Sequence, residues 1–479
     1  MDMNFNHNVA LRFDACLNTN SSPSIYKRFG AMMLLVIFGF SVNLISAQTD
    51  PAITSWLQNT TKTGSYYSSG NSTAIDNGIL VNCQSVKYSN SYVYIETKGV
   101  PAYPTGPFLD GNPSQAQSQN AIFKFPLNPQ KNTGTPTATS LGNIGVFING
   151  VALFDFQDGV AWNTATNSWC GGPGNPPCSG TKYWTRDAVV FERKGFDCSK
   201  GHPAMGNYHH HQNPSAFKLD KQVISTICNL YDADGLYRID SGVHSPLIGY
   251  AYDGFPIYGA LGYKNADGTG GVVRLKSSYN LRAITSRTQW ADGTDVPDGP
   301  AVNATYPLGT FKEDYEFKTP TSDDFLDEHN GRFCVTPEYP KGTYAYFTTV
   351  DENYNSTFPY VVGPTFYGVK SVQKVTSIGE TTTEYKATAN VNGKTAQLIS
   401  AKVTPNPASD LVAVQLGGLQ RSDVTITLMD LSGRVIHEKV IPAGSTLGFF
   451  ELQSVYSGNY LLKVASGSSF ETLQLVVQH

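Results

Sequence analysis

The densest chemistry in the sequence lies in Gly201-His-Pro-Ala-Met-Gly-Asn-Tyr-His-His-His-Gln-Asn-Pro214. This stretch holds His202, His209, His210 and His211, four of the nine histidines. Glycine and proline bracket it on both sides, which leaves room for a short strand or a tight loop and not for a helix. In an extended segment alternate side chains share a face, so His209 and His211 point one way and Tyr208 and His210 the other. Two imidazoles at i and i+2 can converge on one cation, and imidazole suits zinc, copper, nickel or iron. The competing use is structural: neutral histidines also serve as hydrogen-bonded polar residues in loop-rich β domains, or line a metal-free pocket.

Further ligands must come from elsewhere in the chain. His202 is one source. The unit Val243-His-Ser-Pro-Leu-Ile-Gly-Tyr-Ala-Tyr-Asp-Gly-Phe-Pro-Ile-Tyr-Gly259 is another, with His244 and Asp253 at its two ends. Aspartate before glycine more often builds a turn than binds a ligand. Asp327, Glu328, His329 and Asn330 form a polar cluster whose Glu328 or His329 could join a site, with an Asx turn as the alternative. The expected metal ligands are therefore His202, His209, His211 and His244, the expected ion copper or zinc. Asp253, Glu328, His329 and Glu338 are further candidates.

Three functional classes fit these residues. The first is an extracellular metal-binding domain, whose affinity falls in acid because imidazole must be neutral to ligate. The second is a hydrolase or oxidase in which Asp253, Glu338 and His209 supply acid/base groups and a metal-bound water is the simplest nucleophile. No nucleophile elbow, HExxH helix or Gly-rich phosphate loop picks a reaction class. The third is a carbohydrate-binding or adhesive module that stacks sugars on Tyr and Trp, although an aromatic β core would use the same residues.

The elements that must position these residues read as strands. The chain has 479 residues, net charge -4 and 15% charged residues, so it lacks the basic footprint of a nucleic-acid binder. Its 27 Tyr, 25 Phe, 45 Gly and 27 Pro describe a β-rich, turn-rich protein. Ser91–Thr97 and Ala121–Pro126 are good strands. Gly145–Asp155 reads as a hairpin about Asn149-Gly150. Asp187–Glu192 has the composition of a strand. Leu247–Tyr252 reads as a buried strand, turned by Asp253-Gly254 into a proline-limited edge or loop. Gly206-Asn-Tyr-His-His and Gly342-Thr-Tyr-Ala-Tyr share a layout that suggests an internal duplication.

Cysteine use fits an oxidising compartment. Of seven cysteines, Cys16 lies upstream of an expected export signal, and the other six allow three disulfides. Cys170 and Cys178 flank a stiff loop and are the expected local pair. Residues 1–47 read as a signal peptide, with Lys27-Arg28 before an apolar run too short for a stable membrane span and small residues at Ser46-Ala47. Residues 48–370 then form one large domain, 371–398 a Thr/Ser/Lys/Glu-rich linker and 399–479 a final unit.

Two resemblances sharpen this picture. Gly201-His202, Asn207–His211, His244–Gly259, Leu326–Gly331 and Thr336–Phe347 occur in the order of the YHYH-domain family, which the chain resembles over residues 75–365. His210 stands where that family has its second Tyr, and the His-x-His pair survives. The resemblance implies a domain and no particular reaction. Lys402–Asp410, Leu411–Leu416, Val424–Val435 and Tyr456–Val464 resemble the type A C-terminal sorting domain of the type IX secretion system of Bacteroidota. That likeness implies the type IX machinery as a partner, passage through the periplasm, a secreted or outer-membrane-surface destination, and removal of the tail. The expected fold is all-β: a large loop-rich β domain and a small Ig-like C-terminal sandwich.

Overall fold

The computed structural model describes residues 50–479 apart from 111–113, 218–227, 229–234, 238, 387–400, 417–422, 432, 443–446 and 467–468. The expected signal, residues 1–47, lies outside the described residues. Regular structure is almost entirely β, as expected, with only single helical turns between strands. No helix among the described residues is long and apolar enough to cross a membrane.

An eight-stranded mixed sheet carries the site. Its strands are β1 (Asn143–Phe147), β2 (Ala152–Phe154), β3 (Gly201–Ala204), β4 (Asn207–His210), β5 (Leu247–Ala251), β6 (Pro256–Tyr258), β7 (Gly331–Cys334) and β8 (Thr343–Phe347). Their spatial order is β3-β4-β2-β1-β5-β6-β8-β7. The hairpin expected at Asn149-Gly150 forms β1 and β2. Gly150 has φ 77°, and a Cβ there would lie 2.1 Å from Thr97 Oγ1, so the turn needs glycine both for its backbone and for its space. Asn149 Oδ1 accepts the Val151 N–H across the turn. Asp253-Gly254 repeats this arrangement between β5 and β6, with Asp253 Oδ1 accepting from Phe255 N and Gly254 at φ 90°.

That repetition extends to the whole sheet. β4 pairs parallel with β2, and β8 pairs parallel with β6. At the centre β1 and β5 run antiparallel with Val146 opposite Tyr250. On either side Ile148 N donates to Ile248 O and Tyr252 N to Ile144 O, both at 2.8 Å. These reciprocal bonds describe a pseudo-two-fold axis between Val146 and Tyr250, relating β1–β4 to β5–β8. The loops obey it too. Asp197 accepts Ser199 N, Gly201 N and the Tyr208 hydroxyl. Asp327 accepts His329 N, Gly331 N and the Tyr344 hydroxyl. Lys200 and Asn330, the residues before the two glycines, have φ 63° and 64°.

Three elements differ from expectation. Pro256–Tyr258 is an interior strand, not an edge, because Pro256 is its first residue and the missing N–H falls before the ladder with β8 begins at Ile257. Asp187–Glu192 is not a strand. Asp187 accepts Val189 N and Val190 N and so caps a helical turn over Ala188–Phe191, which overrides the strand preference of the two valines. The segment expected as linker contributes two strands: Gln373–Val375 and Thr383–Tyr385 form the two edges of a five-stranded sheet with Cys83–Tyr88, Tyr92–Thr97 and Ala121–Pro126.

Cys170 and Cys178 are bonded, as expected, and Cys198 bonds Cys228. The third bridge that six cysteines would allow does not form: Cys83 and Cys334 are buried free thiols on different sheets. The C-terminal unit has a three-stranded sheet (Ala401–Thr404, Leu411–Leu416, Leu447–Glu451) and a four-stranded one (Val424–Met429, Val435–Ile441, Gly458–Ser466, Ser469–Val477). Alternate residues of both, including Val412, Val414, Ile426, Leu428, Leu462 and Val464, fill one shared core.

Candidate metal centre

Register brings the histidines together. β3 and β4 pair so that His202 stands directly opposite His209, on one face of the sheet. His211 follows the end of β4 on the same side as His209. The three rings lie 4.6–5.6 Å apart, centroid to centroid. Their ligand atoms all fall within 4.8 Å of one another, and all three residues are buried. His210 points the other way, as alternation requires. Its Nε2 meets the Tyr103 hydroxyl at 2.8 Å and its ring packs edge-on against Phe147 and Tyr208.

The second ring nitrogens are held from behind. His209 Nδ1 donates to Asn207 O at 2.8 Å, and His211 Nδ1 donates to Asp155 O at 2.5 Å. Phe154 stacks on His209 and meets His211 edge-on, while Phe196 meets His202 edge-on. Backbone carbonyls that fix the tautomer and aromatic walls that fix the ring plane are the surroundings a metal-ligating histidine requires. His209 and His211 Nε2 are 3.0 Å apart.

A fourth group joins them that the sequence did not single out. Glu192, the C-cap of the helical turn, places Oε2 3.2 Å from His202 Nε2 and 3.1 Å from His211 Nε2. Donors around a tetrahedral ion bound at about 2.0–2.1 Å stand roughly 3.3 Å from one another, close to these two spacings. No sequence spacing announces Glu192. The only signal was Asp187 as an N-cap three residues before Val190, and the valines obscured it.

The electrostatics agree with the geometry. Burial, reinforced by the charges of His202 and His211, holds His209 well below the ordinary imidazole range. Burial works against charge on His211 too, but Glu192 beside it outweighs that and raises its pKa. Burial alone would raise the Glu192 carboxyl; His202 and His211 reverse the shift and hold it below the usual range. The charged forms of His211 and Glu192 therefore favour one another.

The remaining sequence candidates stand apart from this cluster. His244 Nδ1 donates to Ser245 O, and its ring lies among Tyr258, Tyr263 and Phe347 in the second half of the sheet. Asp253 is fully buried and accepts the Tyr346 hydroxyl and Gly368 N besides closing its turn. Glu328 and His329 lie on the Asp327 loop, where His329 Nδ1 bonds Thr365. Glu338 accepts the Tyr258 hydroxyl.

Fold and site thus define an all-β protein with a buried three-histidine cluster and a C-terminal pair of sheets around one core. Residues 122–359 match the family described as YHYH protein, and residues 402–478 match the secretion system C-terminal sorting domain. The chain carries a YHYH domain followed by a sorting tail, and that tail indicates a secreted or cell-surface protein. No curated protein matches the chain.

Proposed function

We propose that this chain is an exported metal-binding protein whose ion sits among His202, His209 and His211. The observation that carries the proposal is the orientation of two rings. Both Nδ1–H groups point at backbone carbonyls, which turns the two Nε2 lone pairs toward each other at 3.0 Å. Facing lone pairs repel unless a proton or a cation lies between them. A metal ion held there would remove that repulsion and take the place of any proton between the two rings. Copper and zinc are the ions proposed, since both accept imidazole nitrogen and meet exported proteins outside the cell.

The rest of the chain serves delivery in this proposal. Residues 1–47 direct export to the periplasm, the type IX machinery recognises residues 399–479, and the tail is removed after crossing the outer membrane. Outside the cell Cys198 and Cys228 are tied in a disulfide and so offer the metal no thiolate.

The test is metal content of protein purified without nickel resin, followed by titration of the chelated protein with Zn2+ and Cu2+. Uptake of one of these ions is expected, with loss on the order of 100-fold or more in affinity when His209→Ala and His211→Ala are combined. If wild-type protein takes up neither ion, the proposal fails.

A further inference from the structure

We propose that Glu192 is the fourth ligand of this centre and the one that gives way to an incoming small anion. The inference rests on the three-histidine centre above and adds to it an exchangeable position. Three observations support it. First, Glu192 Oε2 lies 3.2 and 3.1 Å from two imidazole nitrogens. Yet Oε2 and both nitrogens of His202 have no well-aligned hydrogen-bond partner, although these atoms are buried. A carboxylate oxygen that is close to two rings but off both N–H axes is aimed at the space between them, where an ion would sit.

Second, access is uneven. The side chains of His202 and His211 are 8% and 3% exposed, and His209 is 1% exposed, whereas the Glu192 side chain is 27% exposed. The imidazoles close the protein side of the site, and Glu192 is the most exposed of the four side chains. Third, the supports differ in stiffness. His202 and His209 are locked into β3 and β4, but Glu192 ends a single helical turn of four residues. Like His211, which follows the end of β4, it lies outside every sheet ladder, and unlike His211 its side chain is partly exposed.

The donor set is three nitrogens and one carboxylate oxygen. Such a set favours a divalent first-row ion over a soft monovalent one. Exchange of the Glu192 oxygen for an external anion changes no oxidation state: one metal–oxygen bond breaks and one metal–anion bond forms. The freed carboxylate stays at the mouth of the site.

Cobalt(II) and azide test this directly, because tetrahedral Co2+ reports its ligands in visible absorption. The chelated full-length protein and its Glu192→Gln and Glu192→Ala variants are titrated with Co2+ after thermal melting has shown which variants fold. Co2+ affinity should fall on the order of tenfold or more in the variants, as for loss of a ligand or its support. Azide should alter the wild-type cobalt spectrum and bind the variants more tightly. Wild-type cobalt affinity and spectrum in a folded variant would overturn the role of Glu192 as ligand. A wild-type cobalt spectrum that saturating azide leaves unchanged would overturn the exchange. Failure of wild-type protein to take up Co2+ at all would remove the histidine centre instead, and so is separable from both.

Discussion

Asp253 shows how one residue's chemistry can mislead when read from sequence. A lone carboxylate beside a histidine-rich unit invites a ligand role, but burial turns it into a structural acceptor for the Tyr346 hydroxyl, Gly368 N and Phe255 N. Burial raises its pKa to about 6, with those hydrogen bonds working in the opposite direction. The folded value exceeds the unfolded 3.8, so the folded state binds the extra proton between these limits. Stability from this group is therefore fully present below about pH 4 and lost as pH rises through 6, a change of roughly 2–3 kcal/mol. Asp253→Asn removes the titration. It also sets an amide N–H against either Gly368 N or Phe255 N, and an unpaired buried donor costs about 1–3 kcal/mol. Denaturant unfolding should show the variant less stable than wild type at pH 4, with the gap shrinking by pH 7. A gap that widens with pH would contradict the assignment.

At the scale of elements, the parts of the site that were legible in sequence share a cause. The His-x-His pair, the hairpin at Asn149-Gly150 and the strand at Leu247 follow from period-two alternation and turn chemistry, which are local properties. Glu192 was not legible because its position depends on Asp187 winning the following residues for a helical turn, a contest the sequence leaves open. His244 sits beside a strand of the right sheet but in the wrong half of it, and no local pattern distinguishes the halves. The loop that sets His202 in place was equally hidden. Asp197 accepts four donors, Gly106 N, Ser199 N, Gly201 N and the Tyr208 hydroxyl, and the Cys198–Cys228 bridge spans 30 residues beside it. Closing a loop of that length contributes about 3–4 kcal/mol in the chain-entropy picture. Asp197→Ala would strand several buried donors at about 1–3 kcal/mol each. Asp327→Ala inflicts a similar loss on the other half. Melting should show both variants destabilised, while zinc titration should show weakened binding only for Asp197→Ala, since His202 follows Gly201 directly. Equal zinc affinity in the two would mean the loop does not position the ligand.

The whole molecule poses the question of why one half of a duplicated sheet holds the cluster and the other does not. The axis at Val146 and Tyr250 maps Gly201 onto Gly331 and Tyr208 onto Tyr344, and the shared Asp loops confirm the correspondence. Position 210 then maps onto Tyr346, so the second half has tyrosine where the first has histidine. The ligand positions map onto Arg332 for His202, Ala345 for His209 and Phe347 for His211. Arg332 stands across from Ala345 as His202 does from His209, and it donates to the carbonyls of Tyr263, Lys264 and Asp323. Where one half gathers lone pairs that call for a positive charge, the other supplies a fixed guanidinium over the Phe347 ring. The same scaffold therefore fills the same position in two ways, once with imidazoles that could hold an ion and once with a cation of its own. His244, which packs near that second position, has Tyr258, Tyr263 and Phe347 as its ring neighbours and no imidazole among them. Calorimetric titration with zinc should accordingly saturate at one tight equivalent per chain, despite the symmetry of the fold. Two tight equivalents would mean that the second half binds metal through groups other than those equivalent to the triad, and that the duplicated halves have kept a common function.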